Sequence, residues 1–579
     1  MVKAKIGTAV ILTLCTVCYL ITLNPSVGPG DSGEMIAVAY KLGIAHPPGY
    51  PLFTVLGRLF SLLPLGSVAQ RVNLFSLFSA VAAIGLLFSY MDRNWLSAVV
   101  TSLIMAFSAT FWAESSSAEV YTLDIFLLLA SLWSLDRYLR FQDNRFLILF
   151  GLLFGLGLGH RPTFILYLPA FIYMIFITKK RFHLRIDLQP VLFSAIALSI
   201  LLYLPIRAST QPPLNWGNPD NLNRFLSHVT AVQYQGFLFT LPPPVVFKRI
   251  ILFPRLLIRE FTPIIIIVIP GIFYTIKKYR TIFITTVLIL ITNLIYAINY
   301  DIPDYDIYLL PVFLVLAIWF GMGVEYLSSL IRSKTKYILL TVLLIPFLVN
   351  LNRNIELRNH YSYDCGHNTI ESIPKDAIFA TSSTVFANGV IYLQQVEDRK
   401  PEIDILLYDM LRSPVYFEMV SKKVNIQKEE GINTIRAVVA NNYQTRTICL
   451  GIDMMKEAYL ALKGEQNDYT LVPTGLVLRV ERQELVDKEK IIALNDSLWR
   501  LFRFRAISKT EPPRTRYGQV QFVYGAALNN IGSFYINQGW FDEAERFLKL
   551  GLDFPNRPDV ERAIWGNLWV LSNRRSNPR

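Results

Sequence analysis

The sequence has few charged residues for its length. Only 17% of its 579 residues are Asp, Glu, Lys or Arg, whereas 53% are hydrophobic, and its mean hydropathy is +0.38. Soluble globular domains carry about 25% charged residues. This shortage argues against an ordinary soluble protein and predicts an integral membrane protein that crosses the bilayer several times.

The sequence is also poor in cysteine. Its four cysteines do not have the spacing of a disulfide framework or a zinc cage. Cys15 and Cys18 lie in the first apolar segment, where we expect them to be packing residues. Cys365 and Cys449 could pair if the C-terminal half lies in an oxidising compartment, although two free buried thiols are the favoured interpretation.

Basic residues are absent from two short loops, 113–120 and 299–307. The net charge of +13 is instead concentrated in other short loops between apolar runs, such as 137–145, 179–185 and 277–280. Because loops rich in Lys and Arg stay in the cytoplasm, this distribution predicts a cytoplasmic N-terminus and an extracytoplasmic C-terminal region. It also argues against nucleic-acid binding, which would need a basic surface patch.

Apolar runs predict eleven membrane spans. They lie at about 6–23, 72–90, 95–112, 121–138, 146–159, 163–178, 188–206, 260–276, 281–298, 308–326 and 337–350. An apolar piece at 52–64 is too short to cross the bilayer, and we expect it to lie in the membrane interface. The sequence therefore predicts a mainly α, polytopic membrane domain over residues 1–350.

The region after residue 350 has the pattern of soluble domains. Strands are predicted at 376–380, 403–408 and 446–451, and a helix at 385–396, which together indicate an extracytoplasmic α/β domain over 351–483. A charged linker, 484–517, then leads to a helical segment, 518–579. Six residues of that segment match the spacing of a tetratricopeptide repeat (TPR): Gly532, Tyr535, Gly539, Phe541, Ala544 and Leu548. A plain helical hairpin is the alternative.

Candidate functional residues lie in polar clusters at the predicted extracytoplasmic ends of the spans. Asp31 and Glu34 are three residues apart and share a face if they are helical. The other clusters are His46 with Tyr50, Arg58, Glu119 with Tyr121, His160 with Arg161, Arg207 with Trp216, and Asp301 with Asp304 and Asp306. Each could be an interfacial anchor or a paired charge, and Asp31 could simply cap a helix. Their convergence on one membrane face favours a shared function.

These side chains suit transfer of a group from a lipid-linked phosphate donor. Asp31 or Glu34 can deprotonate an acceptor hydroxyl as it attacks. The guanidinium groups of the arginines can hold the phosphate leaving group, so that one base and a stabilised leaving group suffice for an inverting displacement. The arginines are Arg58, Arg161 and Arg207, and the expected donor or acceptor contacts are His46, Tyr50, Glu119, Tyr121, His160 and Trp216.

No cofactor is firmly predicted, and no residue is assigned as a metal ligand. The alternative interpretation gives Asp31, Glu34 and His46 to a divalent cation, Mg²⁺ or Mn²⁺, because oxygen-rich sites recruit such ions. The expected partners are a lipid-linked sugar donor, a protein or glycan acceptor, and membrane lipid.

The motifs, taken in order, resemble those of a known family. They are Asp31-Ser32-Gly33-Glu34, Ala45-His46-Pro47-Pro48-Gly49-Tyr50-Pro51, Glu119-Val120-Tyr121, Gly159-His160-Arg161 and Tyr203-Leu204-Pro205-Ile206-Arg207 with Trp216-Gly217. This pattern is similar to that of the protein O-mannosyltransferase-like family of GT-C glycosyltransferases, which includes transmembrane protein 260 and domain-of-unknown-function family 2723. The resemblance implies a GT-C-type bundle, a polyprenyl-phosphate sugar donor, and Asp31 in the first outer loop as the base, with Glu34 as the competing candidate.

We therefore expect an inverting glycosyltransferase of a bacterial inner membrane. It would move a sugar, mannose by resemblance, to a hydroxyl of protein Ser or Thr or of a glycan on the extracytoplasmic face. A transporter or flippase of lipid-linked saccharides is the alternative, but it predicts charged or broken spans near the bilayer midplane, whereas most charges here lie at span ends. A scaffold protein would leave the carboxylate-bearing loop unexplained.

Overall fold

The computed structural model describes residues 2–182, 188–331, 341–427, 429, 431–463, 469–505 and 520–576. Its chain divides into two compact units. The first unit comprises Met1–Asn24 and Val38–Arg358, and the second comprises Pro25–Ala37 and Asn359–Arg579.

The first unit is built of helices. Its α-helices are Val2–Thr22, Pro51–Ser61, Val68–Tyr90, Trp95–Ala106, Ala109–Ser115, Tyr121–Phe141, Asn144–His160, Leu168–Phe182, Gln189–Leu198, Tyr203–Ser209, Leu222–Val229, Val232–Gln235, Pro243–Phe261, Val268–Lys278, Arg280–Ile298, Leu310–Leu330 and Leu344–Leu357. Short 3₁₀ helices are Pro162–Tyr167, Ser199–Leu202, Pro263–Ile267 and Tyr305–Leu309. Helix Ser32–Lys41 begins in residues of the second unit and ends in the first.

Several of these helices can cross a membrane, as expected. Within the described residues, four are long and apolar enough: Val68–Tyr90, Gln189–Ser209, Arg280–Ile298 and Tyr305–Leu330. Two bent pairs, Trp95–Ala106 with Ala109–Ser115 and Pro243–Phe261 with Pro263–Lys278, bring the number to six if each is one span. The eleven predicted spans are not confirmed, because other apolar helices are shorter than a full span, and residues 337–340 of the last prediction lie outside the described part.

The sharper of the two bends lies at Thr262. The helices on either side meet at 108°, and Thr262 has a φ of 62° immediately before Pro263, whose ring prevents a continuous helix. Glu260, fully buried beside the bend, accepts hydrogen bonds from the backbone N–H and the hydroxyl of Thr110, both at 2.8 Å. The bend is therefore held by a buried carboxylate with protein partners.

Glycines allow the closest helix contacts of this unit. A Cβ on Gly271 would lie 1.8 Å from the carbonyl oxygen of Trp319, and one on Gly323 would lie 2.2 Å from that of Ile267. Only glycine fits at such a distance, which is how membrane helices gain packing contacts without a hydrophobic driving force between them.

The second unit contains a mixed five-stranded sheet. Its strands are β1 (Ile378–Thr381), β2 (Asp404–Leu407), β3 (Ile448–Gly451), β4 (Tyr469–Thr474) and β5 (Val477–Arg482), in the order β2-β1-β3-β5-β4. β1 runs parallel to β2 and β3, whereas β5 is antiparallel to β3 and β4. The three strands predicted from the sequence are present within a few residues, and the β4–β5 hairpin adds the antiparallel edge.

Helices surround this sheet and continue to the C-terminus. They are Tyr361–Ser372, Thr384–Val396, Pro414–Ser421, Ile432–Asn442, Met455–Leu462, Lys488–Leu501, Val523–Asn537, Phe541–Gly551 and Pro558–Ser576, with 3₁₀ helices Tyr408–Arg412, Ile452–Met454 and Gln483–Leu485. Cys365 and Cys449 are buried free thiols, as in the favoured interpretation.

The described part of the predicted linker contains a helix. Within residues 484–505, helix Lys488–Leu501 is held by its Asn495 amide, which donates to the carbonyl of Pro473 and the hydroxyl of Tyr535; residues 506–517 of the linker lie outside the described residues. The helical pair expected after residue 518 is followed by a third helix, Pro558–Ser576. A TPR identity for this tail is not confirmed.

Candidate functional site

The carboxylate pair lies at the start of helix Ser32–Lys41. Asp31 directly precedes the helix, and its carbonyl accepts the first helical hydrogen bond from Met35 N–H at 2.9 Å. Glu34, in the first turn, is buried. The turn before the helix is fixed by Asn388, whose amide donates to the carbonyl of Gly30 at 2.8 Å. Helix capping and a functional role for the carboxylates are therefore compatible.

The two carboxylates lie close to each other. The ligand atoms of Asp31 and Glu34 are within 4.8 Å of one another. Their burial differs, since Glu34 is buried whereas Asp31 is half-buried. Two carboxylates at this separation can share a proton or a cation.

The turn after His46 presents aromatic rings to one another. Gly49 N–H donates to the carbonyl of His46 at 2.9 Å, and Gly49 has a φ of 95°, which favours glycine. The Tyr50 ring then contacts the rings of His46 and His160, with centroids 5.3 and 6.0 Å apart. Two predicted clusters that are more than 100 residues apart in sequence thus meet at Tyr50.

His228 is a third histidine beside this turn, and sequence reasoning missed it. Its buried ring fills the space that a Cβ would need at Gly49 or Gly217, at 2.9 and 2.6 Å. Burial lowers the pKa of His228 to about 3, so the imidazole is neutral near pH 7. The residue therefore supports the turn as a neutral group, and its position in a polar helix gave no signal of that role.

Arg161 lies on the other side of His160. It is 7% exposed, and its guanidinium lies between the rings of Tyr121 and Tyr308, 4.8 and 5.0 Å from their centroids. Among the residues that the structure describes, this guanidinium donates no hydrogen bond. Arginine carries five N–H donors, so the group is held in place by ring faces while its donors stay available.

Asp124 is the carboxylate nearest to this guanidinium. Its Oδ2 lies 3.8 Å from Arg161 Nη1 and accepts a hydrogen bond from the Tyr167 hydroxyl at 2.9 Å. Its Oδ1 is buried and has no hydrogen-bond partner in the described structure. The residue was not predicted, although an ionisable side chain one turn into an apolar helix was a signal that could have found it.

These groups line a narrow cavity, around which about 300 Å³ lies outside the protein atoms when the adjoining open solvent is included. Its polar lining comes from helix ends that are far apart in sequence: Tyr121, Asp124, Arg161, Tyr167, Asn293, Tyr296 and Tyr308. A cation, a carboxylate and several phenol groups in one apolar cavity are able to bind a phosphate that carries hydroxyl groups.

The segment 119–121 is fixed next to the cavity by backbone contacts. Glu119 is buried, and its N–H donates to the hydroxyl of Ser76 at 3.1 Å. His160 Nε2 lies 3.0 Å from the carbonyl of Val120. Because a carbonyl only accepts, Nε2 carries the hydrogen and Nδ1, which has no partner in the described structure, is an acceptor.

The other predicted arginines lie against backbone carbonyls instead. Arg58 donates to the carbonyl of Tyr40 at 2.5 Å, and Arg207 donates to that of Leu42 at 2.7 Å. The backbone N–H of Trp216 donates to the carbonyl of Ile44. These residues brace the end of helix Ser32–Lys41 and the segment that leads to His46, so their roles toward a donor stay predictions.

The acidic loop 299–307 is also anchored by protein partners. Asp306 pairs with Arg259 at 2.8 Å, and Arg259 in turn pairs with Glu260 at 2.8 Å. Arg249 donates to the carbonyls of Tyr300 and Ile302 in the same loop. These contacts fix the loop that precedes Tyr308, whose ring lies against the guanidinium of Arg161.

The fold is similar to that of a solved protein with the same mainly helical architecture. It aligns with the crystal structure of ArnT from Cupriavidus metallidurans bound to undecaprenyl phosphate, with a TM-score of 0.53, 11% identity, and 82% of this chain and 97% of that chain covered. The apo state of the same protein aligns over the same shares with a TM-score of 0.50 and 10% identity. At this identity the likeness shows the fold.

Comparison of sequences shows which known proteins the chain resembles. Residues 31–184 match the model of the protein O-mannosyl-transferase TMEM260 N-terminal domain. The chain is 25% identical to protein O-mannosyl-transferase tmem260 of Dictyostelium discoideum, with 83% of this chain and 67% of that protein covered. It is also 25% identical to protein O-mannosyl-transferase TMEM260 of Mus musculus, with 88% and 78% covered. The resemblance to the protein O-mannosyltransferase-like family is confirmed, and the chain is a glycosyltransferase.

Proposed function

We propose that this chain transfers mannose from a polyprenyl-phosphate carrier to a hydroxyl of a protein Ser or Thr, with inversion at the anomeric carbon. Mannose and a protein acceptor are supported by the names of the Dictyostelium discoideum and Mus musculus relatives, both protein O-mannosyl-transferases. A polyprenyl-phosphate carrier is supported by the ArnT structure, which holds undecaprenyl phosphate.

The observation that carries the proposal is the guanidinium of Arg161. It is buried, stacked between two tyrosine rings, and donates no hydrogen bond to any described residue. A buried cation is costly unless it is paired, and the single nearby carboxylate is 3.8 Å away. A phosphate that entered the cavity would receive the open N–H donors and complete the charge pairing.

Asp31 is the proposed base, with Glu34 as the competing candidate. Asp31 takes the proton of the acceptor hydroxyl while the hydroxyl oxygen forms a bond to the anomeric carbon. The bond from that carbon to the phosphate oxygen breaks, and its electron pair leaves with the phosphate. Arg161 stabilises the charge that develops there, so no general acid is needed.

We place this reaction on the extracytoplasmic face of a bacterial inner membrane, with the N-terminus in the cytoplasm. The support is the absence of Lys and Arg from loops 113–120 and 299–307, which flank the helix ends that carry Tyr121 and Tyr308. In spheroplasts, added protease should cleave the C-terminal region. Full protection of that region would reverse the orientation.

A divalent cation is the alternative use of the Asp31, Glu34 and His46 cluster. The carboxylates of Asp31 and Glu34, within 4.8 Å of each other, supply oxygen ligands that fit Mn²⁺ or Mg²⁺, and the imidazole of His46 would be a nitrogen ligand for Mn²⁺. Such an ion would add positive charge near the phosphate. If the ion is required, EDTA should abolish activity and added Mn²⁺ or Mg²⁺ should restore it. Undiminished transfer in EDTA would mean that these residues act in proton transfer and do not bind a required ion.

The central experiment incubates the purified full chain with polyprenyl-phosphate mannose and a Ser/Thr-rich peptide. Mass spectrometry should detect a peptide that has gained one hexose and an equal amount of sugar-free carrier. Parallel donors carrying glucose or galactose identify the sugar, and a glycan acceptor tests the alternative acceptor. If no combination of donor and acceptor consumed the loaded carrier, the proposal would be wrong.

The base is tested with two matched amide variants. Asp31→Asn should lower kcat by about 10²- to 10⁴-fold, which is the usual contribution of a general base, whereas Glu34→Gln should lower it much less. Both variants should keep the wild-type melting temperature in detergent. The reverse order of the two losses would assign the base to Glu34.

A further inference from the structure

Oδ1 of Asp124 takes no part in the reaction proposed above. Asp124 is 4% exposed, and one of its oxygens is held by the Tyr167 hydroxyl. The other, Oδ1, is buried without a hydrogen-bond partner in the described structure and belongs to a residue that lines the cavity of Arg161. An unsatisfied buried carboxylate oxygen is unfavourable and calls for a donor from outside the protein.

Its position beside Arg161 limits what the donor can be. Asp124 Oδ2 lies 3.8 Å from the guanidinium that we assign to the phosphate. A phosphate bound there brings a second negative charge close to the carboxylate, which is repulsive in a cavity of low polarity. A ligand that carries hydroxyl groups next to its phosphate offsets that repulsion, because a hydroxyl can donate to Oδ1.

The loaded and the spent carrier differ in these two properties. A polyprenyl-phosphate sugar is a phosphate diester with one negative charge and sugar hydroxyls beside it. The spent carrier is a phosphate monoester, which approaches two negative charges above a pKa of about 6 and has no hydroxyls. The carboxylate therefore favours the first ligand and disfavours the second.

We propose that Asp124 is a specificity-determining residue that accepts a hydrogen bond from a hydroxyl of the carrier-bound sugar and rejects the spent carrier by charge. This inference rests on the proposed function, since it takes Arg161 as the phosphate site. The enzyme then binds the loaded carrier more tightly than the spent carrier, and this difference in affinity favours release of the spent carrier after transfer.

The experiment measures equilibrium binding of three probes to the full chain at pH 8. The probes are polyprenyl-phosphate mannose, polyprenyl phosphate, and the methyl ester of polyprenyl phosphate, which has the charge of the loaded carrier but no hydroxyl. The wild type should bind the loaded carrier tightest, the methyl ester less well and the monoester weakest. If Arg161 acted without an influence of Asp124, its positive charge would bind the monoester more tightly than the methyl ester. Tighter binding of the monoester than of the methyl ester by the wild type would therefore overturn the inference.

The Asp124→Asn variant then removes the charge and keeps the size. The preference for loaded over spent carrier should fall by about ten-fold or more, as expected for the loss of one hydrogen bond to a charged group. Asp136→Asn is the matched control, because Asp136 is a buried aspartate on the same helix that pairs with Arg93 and Arg140. It should leave the preference unchanged.

The outcomes separate the two proposals. If the wild type binds none of the three probes, the phosphate site and with it the proposed function fail. If the wild type binds and transfers but Asp124→Asn keeps the same preference, only the role of Asp124 fails. If Asp124→Asn does not fold, the order of the three probes in the wild type decides.

Discussion

Helix Tyr121–Phe141 carries a buried aspartate near each end, and the two ends differ in how their charges are paired. Near the C-terminal end, Asp136 has an arginine at ion-pair distance from each oxygen, Arg93 at Oδ1 and Arg140 at Oδ2. Arg93 also donates to the carbonyl of Tyr90 at 3.1 Å. Oδ2 of Asp136 and Nη2 of Arg140 have no hydrogen-bond partner in the described structure, but Arg140 Nε lies 2.8 Å from that oxygen. Each oxygen of Asp136 therefore has a cation at ion-pair distance.

At the other end, the pairing is incomplete. Asp124 has one oxygen without a hydrogen-bond partner, and Arg161 lies 3.8 Å away with ring faces rather than acceptors around it. The two aspartates lie on the same helix and are similarly buried, 4% exposed for Asp124 and 2% for Asp136, whereas Arg93 and Arg140 are more exposed than Arg161. We infer that the complete cluster serves stability, whereas the incomplete one is arranged for a ligand, because folding alone would favour closing it.

The largest effect should come from Arg161→Gln, compared with Arg93→Gln. The first removes the cation proposed to stabilise the leaving phosphate, and kcat should fall by about 10²- to 10³-fold. The second removes one of two partners of Asp136, and it should lower the free energy of unfolding by about 1–3 kcal/mol with kcat nearly unchanged. Transfer assays and thermal unfolding in detergent measure both quantities.

The comparison would fail if these effects were exchanged. A strong loss of stability in Arg161→Gln with normal transfer by the folded fraction would make its cage a structural element. A loss of kcat in Arg93→Gln at normal stability would show that the complete cluster also takes part in the reaction.

The sequence predicted much of the fold because most of its signals are local. The apolar runs gave the helices around 72–90, 281–298 and 308–326, and strand periodicity gave β1, β2 and β3 within a few residues. The bend at Thr262 was not predicted, because hydropathy shows that a segment is apolar but not where its axis turns. Helix Lys488–Leu501 was not predicted, because the charged residues of this segment indicated a linker and gave no sign of the helix's packing partners.

The site was predictable where its residues are close in sequence. Asp31 and Glu34 were grouped from one motif, and their carboxylate oxygens lie within 4.8 Å of each other. The pairing of Asp124 with Arg161 depends on how two helices pack, and no spacing rule gives it. The backbone carbonyls that Arg207 contacts could not be predicted either, because every residue has a carbonyl and the sequence does not show which one a side chain will reach.

A smaller effect should follow when Arg161 is replaced by lysine. Arg161→Lys keeps the charge but loses the planar group that stacks between the rings and offers paired donors. We expect kcat/KM to fall by about 10- to 100-fold, as for one charge-assisted hydrogen bond. Recovery of full activity by lysine would mean that the site uses charge alone, and the open N–H donors would lose their significance.

The rings that hold the guanidinium should contribute less than the guanidinium itself. Tyr308→Ala removes one wall of the cage, and a cation–π contact of about 0.5–2 kcal/mol corresponds to a 2- to 30-fold loss of kcat/KM. Tyr308→Phe keeps the ring and should stay within about two-fold of the wild type. If both variants lost activity equally, the hydroxyl would be the important group, and the role of the ring as a wall would be wrong.

The smallest effect on activity should come from Arg207→Ala, which tests whether a satisfied arginine is structural outside this helix too. Arg207 Nε donates to the carbonyl of Leu42 at 2.7 Å, so its loss should lower the free energy of unfolding by about 1–2 kcal/mol. Donor affinity of the folded protein should change by less than about two-fold, because the guanidinium already has a protein acceptor. The sequence analysis assigned Arg207 to the phosphate, and that assignment predicts the opposite result, a clear rise in KM for the donor at normal stability. Titration of the donor against the variant therefore decides between the two roles, and a rise in KM would show that protein partners do not exclude an arginine from the site.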